Sequence, residues 1–358
     1  MTPLARLIAA RIRLSGPMPL DEYMRLCLLH PEHGYYATRD PFGAAGDFTT
    51  APEISQMFGE MVGLALAQSW LDQGSPSPFT LAEIGPGRGT LMADILRAIR
   101  VVPGMARAAR VALVEASPHL RRVQNEKLGE IDHLDGVSQL PQAPLFLVAN
   151  EFFDALPIRQ FQRVGKGWAE RVVVLDPQGG LELGLAPVSD EALGSRLPSL
   201  TDGAIHEFCP DAVPIAAQVA GRIAAHGGCA IVIDYGGWNG QGDTFQALRR
   251  HSPEGPLANP GEADLTAHVD FAPLAMAARA AGARASRMVT QGEWLLRLGI
   301  RERAERLAQA GDAGAMAALH RLTAPGEMGH LFKVLALWAR HAPVPAGFEP
   351  LDEDADDA

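Results

Sequence analysis

Apolar positions along the chain fall into two rhythms. Four short apolar runs, Phe79 to Ile84, Val111 to Val114, Pro144 to Ala149 and Cys229 to Ile233, are separated by stretches with helical spacing. Runs of that length alternating with helices predict a parallel sheet covered on both faces. Upstream, residues 3 to 30 predict two helices broken at Ser15-Gly16-Pro17. The first has apolar positions 4, 7, 8 and 12 suited to docking on a core, and the second has Asp21-Glu22 in its first turn, where carboxylates suit the helix dipole. Periodicity then fades over residues 31 to 52, which are rich in Gly, Pro and Thr, before a strong helical pattern from Ile54 to Leu71. Within this stretch, residues 46 to 55 combine rigid residues with hydroxyls and predict a binding loop; a plain loop ending in a Thr or Ser cap is the alternative.

Between residues 155 and 226 the rhythm changes. Phe161 to Val164, Trp168 to Leu175 and Leu181 to Leu185, joined at Gly165-Lys166-Gly167 and Gln178-Gly179-Gly180, predict hairpins and hence an antiparallel insertion. A helix from Val213 to Ala225, closed by His226-Gly227-Gly228, returns the chain to the sheet. Residues 236 to 327 read as helices and loops, Phe332 to Trp338 as a last strand, and the acidic end from Leu351 to Ala358 as disordered. The expected division is residues 1–76 as a helical cap and covering loop, and residues 77–345 as the core. The core carries the insertion at about 155–226 and a helical excursion at about 236–327; residues 346–358 form a tail.

Composition narrows the function. Hydrophobic residues make up 47% and charged residues 20%, the balance of a soluble globular protein, and no apolar run is long enough to span a membrane. The net charge of -11, with no block of Lys or Arg, argues against a nucleic-acid partner and is compatible with a basic peptide or protein. Cys27, Cys209 and Cys229 are far apart and odd in number, as expected of thiols in a reducing compartment. The N-terminal stretch is basic and amphipathic like a transit peptide, but it runs into the next helix without a spacer and is read as part of the fold. A soluble intracellular setting is expected, in a bacterial cytoplasm or, for a eukaryotic source, the mitochondrial matrix. Cys27, His30 and His33 have ligand-like spacing, but Pro31 interrupts them and no fourth ligand appears, so no metal is expected.

The chemistry centres on Glu83-Ile84-Gly85-Pro86-Gly87-Arg88-Gly89-Thr90, a strand, a glycine turn and a helix start. The glycines let the backbone approach a ligand, and the helix N-terminus offers free N–H groups. Thr90 occupies the last glycine position of a dinucleotide fingerprint, and no phosphate loop occurs; a simple strand–helix connection is the alternative. Glu115, at the tip of the next strand, stands where a ribose diol would be held. Beyond the third run come Asn150, Glu151 and Asp154. The two acids, three apart, could face a common point from one helical turn; the alternative has Asn150 capping a helix whose first turn the acids merely decorate. His268 reads either as a base or as a satisfied polar residue.

Five ordered blocks, Gly46 to Gly59, Glu83 to Leu91, Val114 to Pro118, Ala149 to Pro157 and Asp264 to Phe271, resemble the signature of the MidA family of class I S-adenosylmethionine-dependent methyltransferases. The resemblance covers roughly residues 3 to 340 and implies a Rossmann-like α/β fold, with a mostly parallel seven-stranded-type sheet, an N-terminal helical cap and an antiparallel hairpin insertion. It implies S-adenosyl-L-methionine as cofactor, with Gly85, Gly87 and Gly89 at its amino-acid end, Glu83 beside them, Glu115 on its ribose and Asp135 near the adenine. The covering loop, with Thr49 and Ser55, would close over it. Asn150, Glu151 and Asp154 would line the acceptor side, with His268 a proton acceptor. His133 stands where the family has tryptophan. Mitochondrial members are arginine methyltransferases needed for complex I assembly, which implies a protein substrate similar to the basic N-terminal region of the 49 kDa-type complex I subunit. An assembly factor that binds cofactor without catalysis, and a small-molecule methyltransferase, are the alternatives. The oligomeric state stays open, a homodimer included.

Overall fold

A computed structural model describes residues 1–38, 50–188 and 197–352. Thr49 and the rest of residues 46–49 of the expected covering loop lie outside the described residues, as does the acidic end beyond Asp352. The chain forms two compact units. One holds the described parts of residues 1–48, 154–212 and 239–270; the other holds those of residues 49–153, 213–238 and 271–358.

This grouping departs from the order of segments along the chain. Helix Gln56–Asp72, upstream of the expected boundary, packs with the sheet, because Met57, Phe58, Met61, Val62, Leu66 and Trp70 are all buried there. Close approach requires a glycine: a Cβ on Gly59 would lie 2.4 Å from the Cβ of Asp94 on helix Thr90–Ile99. Rings of Trp70, Phe79 and Phe146 meet in the same core at centroid separations of 5.9 and 5.2 Å. Each such buried ring stabilises the unit by roughly 1.5–3 kcal/mol.

The sheet of this unit is built on Phe79–Ile84, which pairs in parallel with Ala109–Val114 on one side and Leu145–Asn150 on the other. Asp132–Leu134 continues beyond Ala109–Val114, and Gly228–Gly237 beyond Leu145–Asn150. Phe332–Trp338 closes the order, antiparallel to Gly228–Gly237, and pairs with Arg284–Ala285 and Val289–Thr290. Every residue of Phe79–Ile84 and Leu145–Asn150 is buried, which is why both are predominantly apolar rather than alternating. Because the second and fourth strands flank the first, the strand order reverses beside Ile84. A crevice opens at such a reversal, beyond the carboxyl ends of the strands.

In the other unit, Pro3–Ser15 buries Leu4, Ile8 and Ile12 in a core with Tyr23, Met24 and Cys27 of Leu20–Leu29. Leu7, expected to dock, is half exposed. The insertion is antiparallel as its hairpin signals predict: Arg159–Val164 pairs with Gly167–Leu175, which pairs with Leu181–Pro187. The sequence reading missed the strands of residues 239–270. Gln246–Arg249 pairs with both Ser252–Glu254 and Asp264–Thr266, where a helical excursion was expected. These strands are three or four residues long, too short to register as a period.

Candidate active site

The first strand ends in the glycine turn. The Gly85 N–H donates to the Val114 carbonyl at 3.1 Å, fastening the turn to the neighbouring strand. Gly85, Gly87 and Gly89 have φ of 65°, 52° and 74°, a left-handed conformation that side chains disfavour. A Cβ on Gly85 would also lie 2.8 Å from the Phe152 ring, so the turn is glycine for space as well as for torsion. Gly89 caps helix Thr90–Ile99 without a side chain of its own, and among the first N–H groups of that helix the Met92 N–H is taken by Glu83.

Glu83 is buried beneath the turn. One of its carboxylate oxygens, Oε2, has no hydrogen-bond partner, and burial pushes its pKa well above the ordinary range, against a hydrogen bond from the Met92 backbone. A buried carboxyl held this way is suited to receive a cation.

Glu115 is also buried, and its carboxylate is already oriented. Oε1 accepts the Ser117 N–H at 2.7 Å, and Oε2 accepts the Gln124 side-chain amide at 3.3 Å. Burial still raises its pKa, with those hydrogen bonds opposing. Arg121 donates to the Glu115 carbonyl and to Asp135 at 2.6 Å. Asp135, assigned to the adenine side, is an exposed carboxylate whose pKa is lowered by the Arg121 hydrogen bond.

At the end of the fourth strand, Asn150 donates to Glu151 Oε1 at 3.1 Å, and the Ala51 N–H donates to the same oxygen at 3.2 Å. Asn150 Oδ1 is buried without a hydrogen-bond partner. No helix follows, which corrects the expectation that Glu151 and Asp154 share a helical turn. Instead Glu151 takes φ of 52°, and the N–H groups of Phe152 and Phe153 both donate to buried Asp234, at 3.2 and 2.9 Å. Asp234 thus replaces a helical turn with a tight bend. A strained non-glycine residue at a strand end marks a site whose surroundings over-determine it.

Ser55 Oγ accepts the Met57 N–H at 3.2 Å and so serves as the cap of helix Gln56–Asp72. The segment before it reaches the glycine turn through Glu53, which accepts the Thr90 hydroxyl at 2.6 Å, while Lys127 donates to Thr90 at 2.6 Å. Gln124, Glu53, Lys127 and the role of Asp234 escaped the sequence reading.

Asp154 and His268 belong to the other unit. Asp154 is buried, and its carbonyl accepts the Ala267 N–H at 3.0 Å. Together with Asp264, which accepts the Tyr36 hydroxyl at 2.8 Å, it adds to the effect of burial in raising the Tyr36 pKa. His268 is exposed, and its backbone N–H donates to Thr244 at 2.8 Å.

Residues 61–289 match the sequence family described as S-adenosyl-L-methionine-dependent methyltransferases. The chain belongs to that family. A solved structure from Burkholderia thailandensis with S-adenosyl-homocysteine bound superposes at a TM-score of 0.84, with 30% identity, covering 96% of this chain and 93% of that one. The Drosophila melanogaster protein arginine methyltransferase NDUFAF7 homolog, mitochondrial, is 35% identical over 373 aligned positions, covering 94% of this chain and 84% of its own. The Homo sapiens protein arginine methyltransferase NDUFAF7, mitochondrial, is 37% identical over 302 positions, 76% of this chain and 68% of its own. The residues of this methyltransferase suit the cofactor. A left-handed glycine turn with no room for a Cβ at Gly85, a buried carboxylate oxygen without a protein partner, and a pre-oriented carboxylate at the next strand end suit an aminoacyl end and a ribose. Among the described residues no helix is long and apolar enough to cross a membrane.

Proposed function

We propose that this S-adenosyl-L-methionine-dependent enzyme methylates an arginine of a protein, and that the acceptor is the basic N-terminal region of a complex I subunit of the 49 kDa type. The observation that carries the reading is the bend at Asn150-Glu151, a polar strand end beside the strand-order reversal. It is supported by the shared naming of relatives that match nearly the whole chain as protein arginine methyltransferases.

When bound, the cofactor supplies a sulfonium methyl group for in-line transfer. The protein's share is position and electrostatics. A guanidinium is protonated at neutral pH and is a poor nucleophile, so it needs carboxylates that hold it and draw charge toward the nitrogens that do not react. Glu151, fixed by Asn150 and the Ala51 N–H, is assigned to that task in the sheet unit. Asp154 is assigned to the acceptor as its second carboxylate, and His268 as the group that takes the proton late in the step; both roles come from the family resemblance. In the sheet unit, Gly85, Gly87 and Gly89 hold the aminoacyl end, Glu83 its ammonium, and Glu115 the ribose diol; Ser55 is assigned to the segment that covers the cofactor, and Asp135 stands toward the adenine.

The test is transfer of labelled methyl from S-adenosyl-L-methionine to the purified complex I subunit, followed by mass spectrometry. A methylated arginine is expected. Cofactor binding with no methyl transferred to that subunit would overturn the reading.

A further inference from the structure

Helix Pro118–Leu128 is polar in sequence, yet it buries Leu120 and Gln124, and Leu128 packs partly against the core. Positions 120, 124 and 128 form one stripe, so the middle position of an apolar ridge carries an amide. A leucine there would serve packing without the cost of burying a polar group. The amide has somewhere to go. Its Nε2 donates to the Gly87 carbonyl at 2.7 Å and to Glu115 Oε2 at 3.3 Å, and its Oε1 lies 2.8 Å from His133 Nε2. An amide oxygen only accepts, so His133 donates through Nε2, and the tautomer follows from the network. His133 is itself fixed on strand Asp132–Leu134, opposite Leu113.

We infer that Gln124, held by His133, is a positioning residue for the cofactor's ribose. It ties the middle glycine of the turn to the carboxylate at the next strand tip, so that Glu115 meets the two ribose hydroxyls without reorganising. Ser117 takes one carboxylate oxygen and Gln124 the other, with the Ala116 backbone contributing a further, weaker hydrogen bond, and the pair of oxygens keeps lone-pair capacity for the ribose. This rests on the assignment of Glu115 to the ribose. It adds that the grip depends on an amide that touches only protein.

Calorimetric binding of S-adenosyl-homocysteine and of its 2′,3′-dideoxyribose analogue separates positioning from structural support. The intact chain is expected to prefer the natural ligand by about 100-fold, the effect of two hydroxyls on a carboxylate. Gln124→Leu should weaken S-adenosyl-homocysteine by about tenfold and change the analogue by less than about twofold, as loss of an orienting partner does. His133→Phe should move the ratio the same way by a smaller factor, and provides the test if Gln124→Leu fails to fold. Parallel losses for both ligands, or an unchanged ratio in both variants, would overturn the inference. Glu115→Gln separates the two levels: if it keeps the full preference, the ribose assignment itself falls. If it loses the preference while both other variants keep it, only the role of Gln124 falls.

Discussion

Glu83→Gln is expected to raise the melting temperature by about 2 °C at neutral pH and to weaken S-adenosyl-homocysteine by about 10–100-fold. Both effects come from one buried carboxyl. Burial raises its folded pKa above the unfolded value, so the folded state binds the proton more tightly and stability is lost as pH rises past the ordinary carboxylate range. At neutral pH the wild-type chain carries that cost, and an uncharged amide does not. The thermal gain should therefore vanish below about pH 4, where folded and unfolded chains are both protonated. Binding has the opposite sign. An ammonium favours the ionised carboxyl, so affinity rises with pH until Glu83 is ionised in the free protein, and binding releases a proton. Titrations in two buffers of different ionisation enthalpy measure that release. A variant with unchanged affinity would remove Glu83 from the aminoacyl site.

Glu151→Gln is expected to keep the fold and the cofactor and to lose about 100-fold in methyl transfer, the scale of one removed electrostatic contact at a reacting group. The amide oxygen still accepts from Asn150 and Ala51, and the backbone of a glutamine at φ 52° is no more strained than that of a glutamate. What disappears is the charge. Single-turnover transfer with preloaded cofactor reads this directly, because it separates the chemical step from cofactor binding. An unchanged rate in a chain that still binds cofactor would exclude Glu151 from the acceptor site.

The parts of this site legible in the sequence are those with local causes. Phe79 to Ile84 is buried on both faces and so appears as a predominantly apolar run; the glycines after it are required where they stand; Glu115 follows directly from the strand it ends. What was not legible depends on partners far away in the chain. Gln124 looks like one more polar residue of a polar helix until the helix is seen to turn it toward Gly87. Asp234 directly follows the run Cys229 to Ile233, yet nothing local to it tells that it accepts two N–H groups from residues 152 and 153. That bend removed the helical spacing on which the pairing of Glu151 with Asp154 had rested. The strand Asp132–Leu134 is three residues long and has no buried residue, so it left no apolar signal. The N-terminal helix reads as part of the fold despite its basic, amphipathic character, and Leu4, Ile8 and Ile12 are buried in Pro3–Ser15.

The most direct test of the account is a crystal structure grown with S-adenosyl-homocysteine. The account predicts the aminoacyl end against Gly85, Gly87 and Gly89 with its ammonium on Glu83, and both ribose hydroxyls within hydrogen-bonding distance of the Glu115 carboxylate. A ligand seated elsewhere, or a ribose that leaves Glu115 untouched, would contradict it.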